Sequence, residues 1–176
     1  PGTPEAENAL STIKNIYVPK DNVDGHLAFL TGLGRDITRL EQDSLSYTAA
    51  EMVYMRDDCE GTVRAFIDYL DAFPQGRFLL NAHYYKADCQ LKLNQNDEAL
   101  ESLAFIIDQP HNMFTEPALE AASKISFREK DYHRAADFYR ALLEMAEKKT
   151  NIFDAYVGLM RCYYELNVSA GKYSVR

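Results

Sequence analysis

The sequence predicts an all-α chain built from stacked helix pairs, and three observations carry that expectation. Gly (8) and Pro (6) are sparse among 176 residues, while helix-forming Ala, Leu, Glu and Lys are plentiful. Apolar residues recur at helical rather than strand spacing: in "DYHRAADFYRALLEMA" (131–146), Ala135, Phe138, Leu142 and Met145 fall on one face. The pattern also repeats along the chain. Thr62, Ala99 and Ala135 stand 37 and 36 residues apart, each followed four later by a large residue (Phe66, Leu103, Tyr139) and three later by another (Tyr69, Ile106, Leu142).

Taken in order, "AENALSTIKNI" (6–16) puts Ala9, Ile13 and Ile16 on one face and predicts a helix broken at Pro19. "VDGHLAFLTGL" (23–33) predicts a second helix, interrupted by Gly32 and Gly34, and "TRLE" (38–41) a capping sequence for the segment that follows. Residues 1–41 thus read as an irregular helix pair capping a stack made by 42–176. In the stack, "SYTAAEMVYM" (46–55), "AHYYKADCQLKL" (82–93), "ALEAASKISFRE" (118–129) and "AYVGLMRCYYEL" (155–166) are the first helices, in register at Ala50, Ala87, Ser123 and Met160. "EGTVRAFIDYLDAFP" (60–74), "DEALESLAFIIDQP" (97–110) and "HRAADFYRALLEMA" (133–146) are the second helices, entered through the polar turns "RDD", "NQND" and "EKD". Small residues let the paired backbones approach and large ones fill the gaps to the next pair. One pair cannot bury its own apolar face, so the pairs must stack.

This arrangement of small and large residues resembles the tetratricopeptide repeat (TPR), and "DYHRA" (131–135) is similar to that family's entry into its second helix. The likeness covers about 42–167, as three repeats and the first helix of a fourth, with a period of 36–37 in place of the usual 34. It implies a right-handed α-α superhelix. The fourth repeat reads as a first helix and the start of a turn, "NVSAGKY", so the natural protein is expected to continue. The large aromatic content is similar to long TPR proteins of bacterial cell envelopes, which implies a periplasmic location, with the cytoplasm as the alternative.

Composition narrows the function. A net charge of −8 and the lack of a basic run argue against a nucleic-acid or anionic-membrane surface. The longest apolar run, "LAFII", is far short of the ~20 residues that span a bilayer. Cys59, Cys89 and Cys162 are odd in number and widely spaced, without metal-ligand or disulfide-framework spacing. Cys89 and Cys162 share one place in the repeat and read as packing residues. "GLGRDI" (32–37) has two glycines of a dinucleotide loop but no strand before it. Asp131 and His133 fit a helix start better than an acid–base pair. The sequence therefore predicts no enzyme, metal or cofactor.

What remains is a binding surface. By the resemblance, the first helices line a concave groove, with stripes Tyr47, Glu51, Tyr54; Tyr84, Asp88, Leu91; Glu120, Lys124, Phe127; and Val157, Arg161, Tyr164. The last member of each is large and apolar, and the middle one runs acidic, acidic, basic, basic. A protein or peptide ligand, held by the aromatics and oriented by the charges, is the expectation. Tyr and Glu or Asp stand where chaperone-type carboxylate clamps use Lys and Asn, which argues against that clamp. A spacer docking to flanking repeats is the alternative. Leu159, Tyr163 and Leu166 on the last helix are the expected route to a homodimer.

Overall fold

The computed structural model describes residues 3–5, 8, 12, 23–34 and 36–173, without the side chains of 23, 24, 26, 27 and 169–173. Among the described residues the regular elements are all helical, as expected: α1 (Val23–Gly32), α2 (Arg39–Tyr54), α3 (Cys59–Ala72), α4 (Leu79–Lys92), α5 (Asn96–Ile107), α6 (Thr115–Arg128), α7 (Tyr132–Met145) and α8 (Lys149–Tyr173). The helix expected over 6–16 lies for the most part outside the described residues.

The chain divides into two compact units, residues 1–94 and 95–176. In the first, α1 rests on α2, and α2, α3 and α4 pack in succession, with α4 also touching α2. In the second, α5, α6, α7 and α8 pack in succession and α8 also touches α6. A helix that meets both its successor and the helix after that is the pattern of stacked hairpins.

The repeat is visible in backbone and burial alike. Asp57, Asn94 and Lys130 are the non-glycine residues with positive φ (57°, 59° and 66°) among those described. They stand at the internal period, one in each polar turn, where a left-handed residue ends a helix. Thr62, Ala99 and Ala135 are fully buried, as are Ile106 and Leu142, with Tyr69 2% exposed. Asp58 and Asp131 then cap α3 and α7, accepting from the amides of Gly61 and Arg134. Asp131 is thus a helix cap, as its position next to the helix implied.

Thr38 and Glu41 form the expected capping box: the Thr38 side chain accepts from the Glu41 amide, and the Glu41 carboxylate from the Thr38 amide. The helix it opens starts at Arg39, so it draws in residues assigned to the N-terminal pair. Of "GLGRDI", Gly32 ends α1 and Gly34 stands at φ 73°, where side chains are disfavoured.

Two expectations are corrected. Residues 167–173 continue α8 as helix to Tyr173 rather than opening a turn. Cys89 is not a plain packing residue: it forms a disulfide with Cys59, Cα–Cα 4.8 Å, which ties the first residue of α3 to α4. Only Cys162 is a buried free thiol. The pairing brings the start of α3 against α4, a proximity that sequence spacing does not encode.

Candidate functional site

The expected groove residues fall into both units, and the two sets differ in kind. In the first unit the aromatic residues are largely consumed by packing. Tyr47 is 5% exposed; its ring stacks on Phe78 at 4.3 Å and meets Tyr69 edge-on at 5.8 Å. It is a core residue and its ring is closed to a ligand. Period-3.6 spacing cannot separate the groove edge of a helix face from its buried centre. The Tyr47 hydroxyl donates to Glu51 at 2.8 Å. Burial, and then Glu51, push its ionisation well above the ordinary tyrosine range.

Tyr54 is half-buried, stacked on Tyr85 at 4.5 Å, and donates to Asp88 at 3.0 Å. Burial, and then Asp88, push it up to about 12. Asp88 also pairs with Lys92 at 2.9 Å, and the Lys92 ammonium lies 5.6 Å from the Tyr54 ring centre. Tyr84 meets Tyr85 edge-on at 5.9 Å, and Leu91 is half-buried. The acidic members here are therefore occupied by tyrosine hydroxyls and a lysine.

A buried polar knot lies near the start of α2. Asp43, 4% exposed, accepts from the Tyr69 hydroxyl at 2.6 Å and the Arg77 amide at 2.9 Å. Gly76 sits so close that a Cβ would fall 2.5 Å from the Tyr69 hydroxyl. An open cavity of about 340 Å³ beside this knot is lined by Arg39, Asp43, Phe73 and the 74–77 turn.

In the second unit the expected residues do converge. A cavity of about 450 Å³ is lined by Lys124, Phe127, Arg128, Tyr139, Asp154, Val157, Gly158 and Arg161. A neighbouring one of about 410 Å³ is lined by Phe127, Met160, Arg161, Tyr164 and Glu165. Phe127 and Arg161 belong to both, and both cavities are open clefts on the surface of the unit. Lys124, Phe127, Arg161 and Tyr164 are thus brought together by α6 and α8, which lie side by side.

The floor is fixed by packing. Tyr139 of α7 lies in the core with Leu119, Ala135, Leu142, Ala155 and Cys162, and its hydroxyl has Ser123 within hydrogen-bonding reach. Gly158 lets α8 settle on the Tyr139 ring: a Cβ there would come within 2.3 Å of it. Phe127 is held edge-on to Tyr132 at 5.3 Å. Glu116 ties the entry to α8, accepting from the Glu147 amide and the Asn151 side chain, both at 2.7 Å. Those bonds hold its carboxyl below the ordinary range.

The charges on the rim are unequal. Lys124 pairs with Glu120 at 2.5 Å and lies 4.0 Å from Asp154, which raises its pKa, the Glu120 hydrogen bond being the main cause. Arg128 and Arg161 are exposed, and their guanidinium groups make no hydrogen bond or ion pair with a described residue. Met160 and Tyr164 are 65% and 66% exposed.

Arg128, Tyr139, Asp154, Gly158, Met160 and Glu165 were not among the expected site residues. Gly158 alone carried a signal, since a glycine inside a strongly helical pattern costs about 1 kcal/mol against Ala and asks for a packing reason. Among the described residues no three His, Cys, Asp or Glu side chains group as metal ligands, and no helix is long and apolar enough to cross a membrane. No family model and no curated protein matches the chain.

Proposed function

We propose that this chain is a non-enzymatic scaffold module that binds a protein or peptide segment on the cavity-bearing face of its second unit. In this reading it is a TPR-like stack whose repeats wind into a right-handed superhelix. The observation that carries the proposal is the pair of neighbouring cavities sharing Phe127 and Arg161. Exposed aromatic and apolar surface there adjoins guanidinium groups that pair with no described residue, a combination typical of binding hot spots. The Cys59–Cys89 disulfide favours an oxidising, extracytoplasmic compartment such as a bacterial envelope.

The test is capture from a lysate of the source cell, comparing the chain with a Phe127→Ala/Tyr164→Ala variant of unchanged helical content. A partner held by the first and lost by the second supports the proposal; a partner held equally by both overturns this face as the binding site. Tyr54 is left intact because its ring and hydroxyl are engaged in packing.

One observation favours the spacer reading. Tyr156, Met160 and Tyr163 are 61%, 65% and 47% exposed, whereas Leu119, Ser123 and Ser126, at the same repeat positions, are 0%, 0% and 1% exposed. In the second unit Leu119 of α6 packs against Ala135, Tyr139 and Leu142 of α7. A helix from a flanking repeat or a second copy would cover the corresponding face of α8, and sedimentation of Tyr156→Ser/Met160→Ser against the parent tests self-association through it.

A further inference from the structure

We infer that the second unit's site takes a carboxylate carried next to an aromatic or aliphatic side chain, as in an acidic peptide segment. The inference rests on the peptide-binding reading above and specifies its ligand. Of the three cations on the larger cavity, Lys124 is already committed to Glu120 and Asp154. Arg128 and Arg161 are not committed to any described residue. A guanidinium loses little hydration on binding and offers a planar fork that fits a carboxylate.

The two guanidinium groups stand on different helices, Arg128 at the end of α6 and Arg161 in the middle of α8, so the fold rather than local sequence sets them around one space. Phe127 forms the wall between that space and the smaller cavity, where Met160 and Tyr164 give an apolar seat.

The acids of the site orient the ligand. The larger cavity sets Lys124, Arg128 and Arg161 against Asp154, whereas the smaller sets Arg161 against Glu165, so the carboxylate belongs beside Arg128 and the apolar side chain beside Tyr164. Asp154 and Glu120 leave the neighbourhood close to neutral, on a chain of net charge −8. That background favours a singly charged carboxylate over a doubly charged phosphate, whose second charge meets more repulsion.

The experiment is selection of random octapeptides on the immobilised chain, in one library with a free C-terminus and in another with both ends embedded. Selected peptides should carry Asp or Glu beside an aromatic or aliphatic residue. They should bind the parent about tenfold more tightly than Arg128→Gln or Arg161→Gln, the loss of one charge-assisted hydrogen bond. Glu165→Gln should strengthen binding. Acid enrichment in both libraries assigns the carboxylate to a side chain, and enrichment of chain-terminal peptides alone assigns it to the C-terminus; either supports the inference.

Peptides selected from the embedded library without Asp or Glu, or binding lost in Phe127→Ala/Tyr164→Ala but unchanged in both arginine variants, overturn it and leave the peptide-binding reading standing. Failure of both libraries to yield a binder overturns both.

Discussion

His83 shows how a residue unremarkable in sequence acquires a measurable property from its place in the fold. Burial, with Lys86 adding to it, lowers its pKa from 6.5 to about 4. Below pH 6.5 the unfolded chain takes up the proton first, while the folded chain holds the imidazole neutral. The stability this neutral form contributes is therefore complete above 6.5 and is lost as pH falls towards 4. Allowing for partial exposure, the loss should be about 2 kcal/mol across that window. Urea unfolding of the parent and of His83→Gln at several pH values measures it. The variant should lose less stability over the same interval, and parallel curves would refute the assignment.

At the scale of the element, the contact between α7 and α8 sets the floor of the site. Gly158→Ala would gain helix propensity, yet its Cβ meets the Tyr139 ring at 2.3–2.5 Å, and that ring is itself packed. The overpacking should outweigh the propensity gain and destabilise the chain by about 1–2 kcal/mol net. Leu103 occupies the Tyr139 position in the preceding repeat, so Tyr139→Leu is a side chain this architecture already uses there. The double variant Gly158→Ala/Tyr139→Leu should recover part of the loss, and a denaturation double-mutant cycle should give a favourable coupling energy. Strict additivity would mean that the ring and the new methyl group do not meet.

Across the molecule, the two units are supported differently. The first contains a covalent link between residues 30 apart, Cys59 and Cys89. Closing a loop of that length restricts the unfolded chain and stabilises by roughly 3.5 kcal/mol. Cys59→Ser/Cys89→Ser should accordingly lower stability by about that amount in denaturant unfolding. Reductant should lower the melting temperature of the parent but not of the double serine variant. Equal sensitivity of both would show that the disulfide does not contribute. The second unit has no such link among its described residues and relies on apolar packing and on the Glu116 bonds to Glu147 and Asn151.

The sequence by itself determined the helical class, the repeat and most helix positions, because each is written locally. Apolar spacing, the Thr38–Glu41 box and the recurring Thr62, Ala99 and Ala135 act within a few turns of one helix. The same logic placed Phe127, Lys124, Arg161 and Tyr164 on corresponding helix faces, and these do share neighbouring cavities. Only the tertiary structure decided that Tyr54 is half-buried against Tyr85 while Tyr164, at the same repeat position, stands open, since the two differ in what packs over them. It also decided the Cys59–Cys89 pairing, the entry of Arg128 into the site and the seat of Tyr139 on Gly158. Periodicity specifies which face a side chain shares; covering that face, or leaving it open, depends on residues distant in the chain.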